Sequence, residues 1–381
     1  MKNITPYILH ETLIEDHRTD GWRSGEGCVA PLANGDLLMV YARFQGNSDE
    51  APATLVERRS RDDGRNWSKP RVFIPTPPRV FNLMSVSLLP LQDGRMAGLF
   101  LRKKSLEDCR PFFMTATGNA RRWTTPKPMV KRPGYYVVVN DRMIQLRSGR
   151  ILAPYAFYGK SASDDKPGVC GCMISDDAGA TWRLSAQEIR IEPANVRRPQ
   201  LVDKLYPTEW RHVRNRQVLC HEPGVVELGD GRVMMWCRSN GGYAYRSFTS
   251  DGGENWSPFK AIPEFAMPNS PQSIKRLPGS NRLIMLFNDR TGIPMGHPQW
   301  SWRRPLAIAV SDDHGATWQR HGLLEPASIP SNCYYSICFH RAQVVFTYYE
   351  GVMCCSPEGI YRPRNLASCK LKIVRRKYFE L

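Results

Sequence analysis

The sequence predicts an all-β fold, a six-bladed β-propeller of four-stranded antiparallel blades. Three observations predict it. An octet at residues 175–182, "SDDAGATW", returns at 311–318 as "SDDHGATW", with looser copies at 60–67 and 249–256 and a worn copy ending at Trp123. The octets' Trp residues, at 67, 123, 182, 256 and 318, recur at intervals of 56 to 74 residues, about the length of one blade. In the same period, apolar strands flank short turns rich in Gly or Asn at "LANGDLLMVYAR", "LQDGRMAGLFLR", "LRSGRILAPYAF", "LGDGRVMMWCRS" and "LPGSNRLIMLFN". Strand, tight turn, strand is a hairpin signal. A sixth, "FHRAQVVFTYYE", replaces the usual turn with residues 340–343. Six hairpins imply six blades.

Each element has a local reason. In the octet, an Asp accepts backbone N–H bonds within a turn, Gly supplies positive φ, and Trp packs into the blade. A catalytic carboxylate in every blade would need recurring partners near each copy, and none recurs, so the octet is read as a structural brace. The 29 Gly and 30 Pro are spread along the whole chain, as many turns require. Strands near the two ends, "TPYILHETLIE" and "SCKLKIVRRKYF", are expected to meet in the last blade and remove an exposed edge. Residues 1–381 read as one domain with a long Pro- and Arg-rich insertion at about 186–217 and a smaller one at 290–304.

Composition removes several classes of function. No run of about 18 apolar residues is present, which argues against a membrane span, and the first residues are too polar for a signal peptide. Eleven Cys, an odd number without a C-x-x-C pair, argue against zinc and for reduced, buried thiols in a cytoplasmic protein. No metal or other cofactor is expected. The formal charge is +17, but the basic residues are dispersed and no nucleic-acid-binding motif accompanies them. The charge suits a basic solvated surface, or steering of an anionic small substrate.

Residues just ahead of each hairpin converge on the central channel. They are 23–26, Asn140, Asp141 and Arg142, 221–224, and 333–336; the loops after the hairpins add Arg43, Asp49, Arg238, Arg303 and Arg304. Arginines, carboxylates and a Tyr pair suit a carboxylated sugar, because a guanidinium grips a carboxylate through two parallel bonds. Asn140, Asp141 and Arg142 are candidates for sugar-hydroxyl contacts, and His221 reads as a neighbour of the site.

Over nearly its whole length the chain resembles the sialidase (neuraminidase) superfamily, in which the octet is known as the Asp box. "EPGVVELGDGRVMMWCRS" is similar to the segment that supplies a Glu and one Arg of the substrate-binding triad, implying Glu222 and Arg238. "RRPLAIAVSDDHGATW" resembles the segment with the triad's last Arg, implying Arg304 or its neighbour Arg303. "CYYSICFHRAQVVFTYYEG" resembles the segment of the nucleophilic Tyr, implying Tyr335 and, further on, Glu350 as a residue that orients an arginine. The first-blade segment implies Asp49 as acid/base with Arg43 lining the sugar site. The family's Arg-Ile-Pro opening is absent; Arg23 stands within a residue of its place, and Glu26 puts a carboxylate beside it.

The resemblance implies an exo-acting, retaining hydrolase of a terminal acidic sugar, sialic acid-like, with an acidic oligosaccharide or glycoconjugate as partner. A neutral Tyr nucleophile avoids repulsion from the substrate's carboxylate, and sialidases depart in this way from the usual pair of carboxylates. Glu222 would take the Tyr335 proton and Asp49 would protonate the leaving group. Two alternatives stand beside it: a propeller hydrolase or lyase for another acidic sugar such as a uronate, and a non-catalytic carbohydrate-binding propeller.

Overall fold

The computed structural model describes residues 1–159, 168–196, 218–295, 297, 299–329, 331–351 and 366–381. The predicted insertion at 186–217 lies mostly outside the described residues.

The fold is an all-β propeller built on four-stranded antiparallel sheets. The sheets open on Arg23–Pro31 and, within the same sheet, Asn82–Pro90, and on Tyr136–Val137 with Ile144–Gln145, His221–Glu227, Ser273–Arg276 and Asn332–His340. These opening strands face the centre. Arg23–Pro31 touches Asn82–Pro90 on one side and Asn332–His340 on the other, and Ser273–Arg276 bridges His221–Glu227 to Asn332–His340. The expectation of six separate sheets needs one correction. Among the described residues hydrogen bonding yields five sheets, because a parallel pair between Ala53 and Asn82 fuses the first two units into one of eight strands.

The ends meet as expected. Ile8–Glu15 pairs antiparallel with Ala367–Arg375, which pairs with Gln343–Gly351 and so with Asn332–His340. Ion pairs on two buried lysines reinforce this seam. Lys370 and Lys372 share Glu325 and Glu11, and Lys370 also holds Glu350. Glu15 accepts from Arg43 at 2.6 Å, from Arg58 at 2.8 Å and from the Tyr41 hydroxyl. No helix of the described residues is long and apolar enough to cross a membrane.

The octets lie in the turns between third and outer strands. In the copy at 311–318, Asp313 Oδ1 accepts from Thr317 N at 2.9 Å and from Ser311 Oγ at 2.8 Å, while Gly315 takes φ 80° and donates its N–H to Ser311 Oγ at 2.9 Å. The copies at 60–67 and 175–182 repeat these bonds with Asp62 and Asp177. Trp256 and Trp318 are buried. Asp62, Asp177 and Asp313 therefore brace their own turns, while Asp63 ties its turn to His340, at the end of an inner strand, at 2.9 Å. Trp318→Ala is expected to destabilise the fold by about 3–5 kcal/mol through the cavity it leaves. Asp313→Ala is expected to cost about 1–3 kcal/mol by stripping the turn of a charged acceptor. Denaturant titration checks both, and equal losses would contradict the division of labour between packing and turn.

Candidate active site

The inner strands share an irregularity that builds the site. Four have a register shift at the same place: Gly25/Cys28, Met84/Ser87, His221/Gly224 and Cys333/Ser336. Within each shift one non-glycine residue is left-handed: Glu26 at φ 51°, Ser85 at 57°, Glu222 at 46° and Tyr334 at 57°. Asp141, ahead of Ile144–Gln145, has φ 58°. A bulge inserts one residue and turns its side chain out of the ladder. Here it turns one side chain per strand toward the centre of the ring.

These side chains meet. Tyr334 Oη donates to Glu222 Oε1 at 2.8 Å, and Arg238 Nη1 donates to Glu222 Oε2 at 2.8 Å. Asn269 Oδ1 accepts from Arg238 Nε at 2.8 Å and fixes the guanidinium. Burial works to raise the Glu222 carboxyl, but Arg238 and the Tyr334 hydroxyl outweigh it and hold it below the usual range. Burial, then the Glu222 charge, keeps the Tyr334 phenol well above its ordinary value. Arg303 is buried beside this group and acts on both Arg238 and Tyr334.

Across the mouth, Arg23 Nη1 pairs with Asp49 at 2.7 Å and its guanidinium lies 3.9 Å over the Phe44 ring. Asn82 and Lys103 pin the Asp49 loop through its backbone carbonyl, at 2.8 and 3.3 Å. Glu26 is buried between these two groups. Ser85 Oγ donates to its Oε2 at 2.9 Å. Burial pushes the Glu26 carboxyl up to about 7, with Arg23 opposing and the charges of Asp49 and Glu222 adding to it. His221 is half-buried against Tyr158, and desolvation followed by the Arg238 charge lowers it to about 4, so it is neutral near pH 7.

The structure thus gathers Glu222, Arg238, Arg303, Arg23 and Asp49, as the sequence led us to expect, and corrects the remaining assignments. Tyr335 is fully buried, packed with Ile337 and Phe346, and its hydroxyl reaches Asn288 Oδ1 at 2.7 Å and the Asn332 carbonyl at 2.9 Å. Its neighbour Tyr334 faces Glu222 because the bulge shifts the alternation of the strand by one residue. Arg304 stacks on Trp302 at 4.0 Å, away from the pair. Arg43 and Glu350 point to the seam, where Glu15 and Lys370 hold them. Asn140, Asp141 and Arg142 are buried ties beneath the site rather than a sugar-binding edge. Asn140 Nδ2 donates to the Gly27 and Tyr334 carbonyls, Asp141 accepts from Lys275 Nζ and Ile337 N, and Arg142 donates to Ser273 Oγ and the Gln272 carbonyl. Sequence reasoning placed Tyr334 and Glu26 among the converging positions without giving them a role, and it left out Tyr349, Lys103 and Asn269. The Tyr pair and the "WRSGEG" opening were the only local signals for Tyr334 and Glu26.

Fold and centre define a propeller with a Tyr–Glu–Arg chain in an arginine-rich mouth. Residues 98–348, more than half of the chain, match the family described as BNR repeat-like domain, and the protein belongs to that family, within the sialidase/BNR β-propeller superfamily. It is 24% identical over 332 residues to a sialidase from Micromonospora viridifaciens, covering 78% of this chain and 45% of that protein. The chain therefore spans less than half the length of that curated relative. A Hadza microbial sialidase superposes with a TM-score of 0.70 at 16% identity, over 96% of this chain and 68% of the other. Trypanosoma rangeli sialidase gives 0.68 at 13% identity, over 98% and 59%. A protein of unknown function from Dyadobacter fermentans gives 0.69 at 18%, over 97% and 98%. At such identities the likeness is one of fold.

The raised Glu26 value has a consequence for stability. The native state holds a proton that the unfolded chain releases near pH 4.5, so this group costs stability as pH rises from there to about 7. Glu26→Gln is expected to match the wild type at pH 4 and to exceed it at pH 8 by on the order of 2–3 kcal/mol. Denaturant midpoints at the two pH values measure this, and a difference that does not grow with pH would contradict it.

Proposed function

We propose that the eight-stranded sheet is two blades, making a six-bladed propeller, and that the protein is an exo-acting, retaining glycoside hydrolase of sialidase type for a terminal acidic sugar. One observation supports this above the others: the phenol of Tyr334 donates to a carboxylate, Glu222, that Arg238 holds ionised. A phenol with a charged acceptor in place has its base already positioned. In the proposed first step Tyr334 Oη attacks the anomeric carbon, its proton passes to Glu222, and the bond to the leaving oxygen breaks as Asp49 protonates that oxygen. In the second, water attacks the glycosyl carbon, Asp49 takes a proton from it, and Glu222 returns its proton to the departing Tyr334 oxygen.

The substrate carboxylate has a part in this sequence. Arg238, Arg303 and Arg23 would grip it. Drawing Arg238 from Glu222 makes that carboxylate more basic, and drawing Arg23 from Asp49 lets the acid hold a proton. Both catalytic carboxyls are thereby tuned by the ligand. The sialidase relatives support the substrate class. Glu26 favours a second reading, another acidic sugar such as a uronate, because it puts a carboxylate beside the place where the family's first arginine is implied. An unsaturated product absorbing in the ultraviolet would mark elimination from such a sugar.

Tyr334→Phe is expected to lower turnover of an aryl sialoside by at least about 1,000-fold with the fold intact, since a nucleophile is lost. Tyr335→Phe is expected to retain turnover and lose about 1 kcal/mol of stability. Steady-state rates with thermal unfolding of both variants test the assignment; a Tyr334→Phe enzyme at full rate overturns it.

A further inference from the structure

Glu26 has no task in that mechanism, yet its position is closely specified. The side chain is 6% exposed, and a left-handed bulge turns it inward. Ser85, which donates to Oε2, is itself left-handed. The Tyr349 hydroxyl lies 3.5 Å from Oε1. That ring sits against Gly25 so closely that a Cβ there would fall 2.5 Å from it, so the residue before Glu26 has to be glycine. Beside the carboxyl, Arg23 is 4% exposed and leaves Nε and Nη2 without partners. Among the described residues no hydrogen bond joins Arg23 to Glu26, although such a bond would satisfy both. A buried acid therefore lies beside a guanidinium with two unpaired donors, and an unpaired buried donor calls for an acceptor.

An anion supplies that acceptor. It would also approach Glu26, and two carboxyl groups in one site cannot both be charged without a large penalty. A protonated Glu26 removes the conflict, because its O–H donates to the incoming carboxylate. We propose that Glu26 is a specificity-determining residue that binds the carboxylate of a sugar acid as a neutral acid, opposite Arg23. The proposal rests on the acidic-sugar reading above. The groups facing Glu26 are Arg23 on its own strand, Asp49 from the following loop, Ser85, Glu222, Tyr334 and Tyr349. Arg23 favours its charged form, and Asp49 and Glu222 favour the neutral one. Glu222 is held below the usual carboxylate range, so it stays ionised from pH 5.5 upward.

The test is binding of free N-acetylneuraminic acid and of D-galacturonic acid to the full chain between pH 5.5 and 8.5. Calorimetry in two buffers of different ionisation enthalpy also counts the protons taken up. For the sugar acid that binds, affinity should be level at the acid end and fall toward about tenfold per pH unit above neutrality, with proton uptake on binding. Glu26→Gln should bind at all pH values without that slope and without proton uptake. A wild type with no slope, or a Glu26→Gln variant that keeps the slope and the proton uptake, overturns the proposal and leaves the hydrolase reading standing. Failure of both sugars to bind either protein at any pH removes the acidic-sugar reading, and this proposal with it.

Discussion

Glu222 and Tyr334 reach the centre of the ring because their strands depart from the regular ladder, and the site depends on that departure. Glu222 and Tyr334 belong to two different sheets, and each is turned inward by a left-handed bulge. A left-handed residue with a Cβ costs roughly 1–2 kcal/mol, so it persists only where its surroundings over-determine it. The bond between the two side chains and the Arg238 pair supply part of that determination. The apolar packing of the sheets supplies the rest, since it sets the width of the ring and hence whether 2.8 Å separates the two groups.

Two glutamates in equivalent bulges have opposite chemistry because their neighbours differ. Glu222 has an arginine in direct contact and stays below the usual carboxylate range. Glu26 has hydroxyl partners, and its nearest guanidinium, Arg23, makes its ion pair with Asp49 instead. Pairs of carboxyls pushed apart in this way are a recurrent sign of divided acid and base roles. The fold provides equal places, and the local partners provide the difference.

The octets and hairpins were legible in the sequence because a turn is local chemistry: Ser, Asp, Gly and Trp within eight residues determine one another's geometry. The meeting of the chain ends followed from strand patterning. Tyr334 was hidden because a bulge changes strand parity by one residue, and here Glu, Ser and Tyr occupy left-handed places where glycine would have announced them. Arg43 and Glu350 went astray for another reason. Their partners, Glu15 and Lys370, come from strands that close the seam, and that proximity exists only in the closed ring. Arg303 and Arg304 are consecutive, and only the closed ring shows that Arg303 is buried beside Arg238 while Arg304 stacks on Trp302.

The ties beneath the site have a consequence for its geometry. Asp141, Arg142 and Lys275 bond across the middle of the ring, and Asn140 links the Gly27 carbonyl to that of Tyr334. These bonds join the inner strands to one another beside Glu222 and Tyr334, so the spacing of the two groups is held by polar ties as well as by the apolar sheets around them.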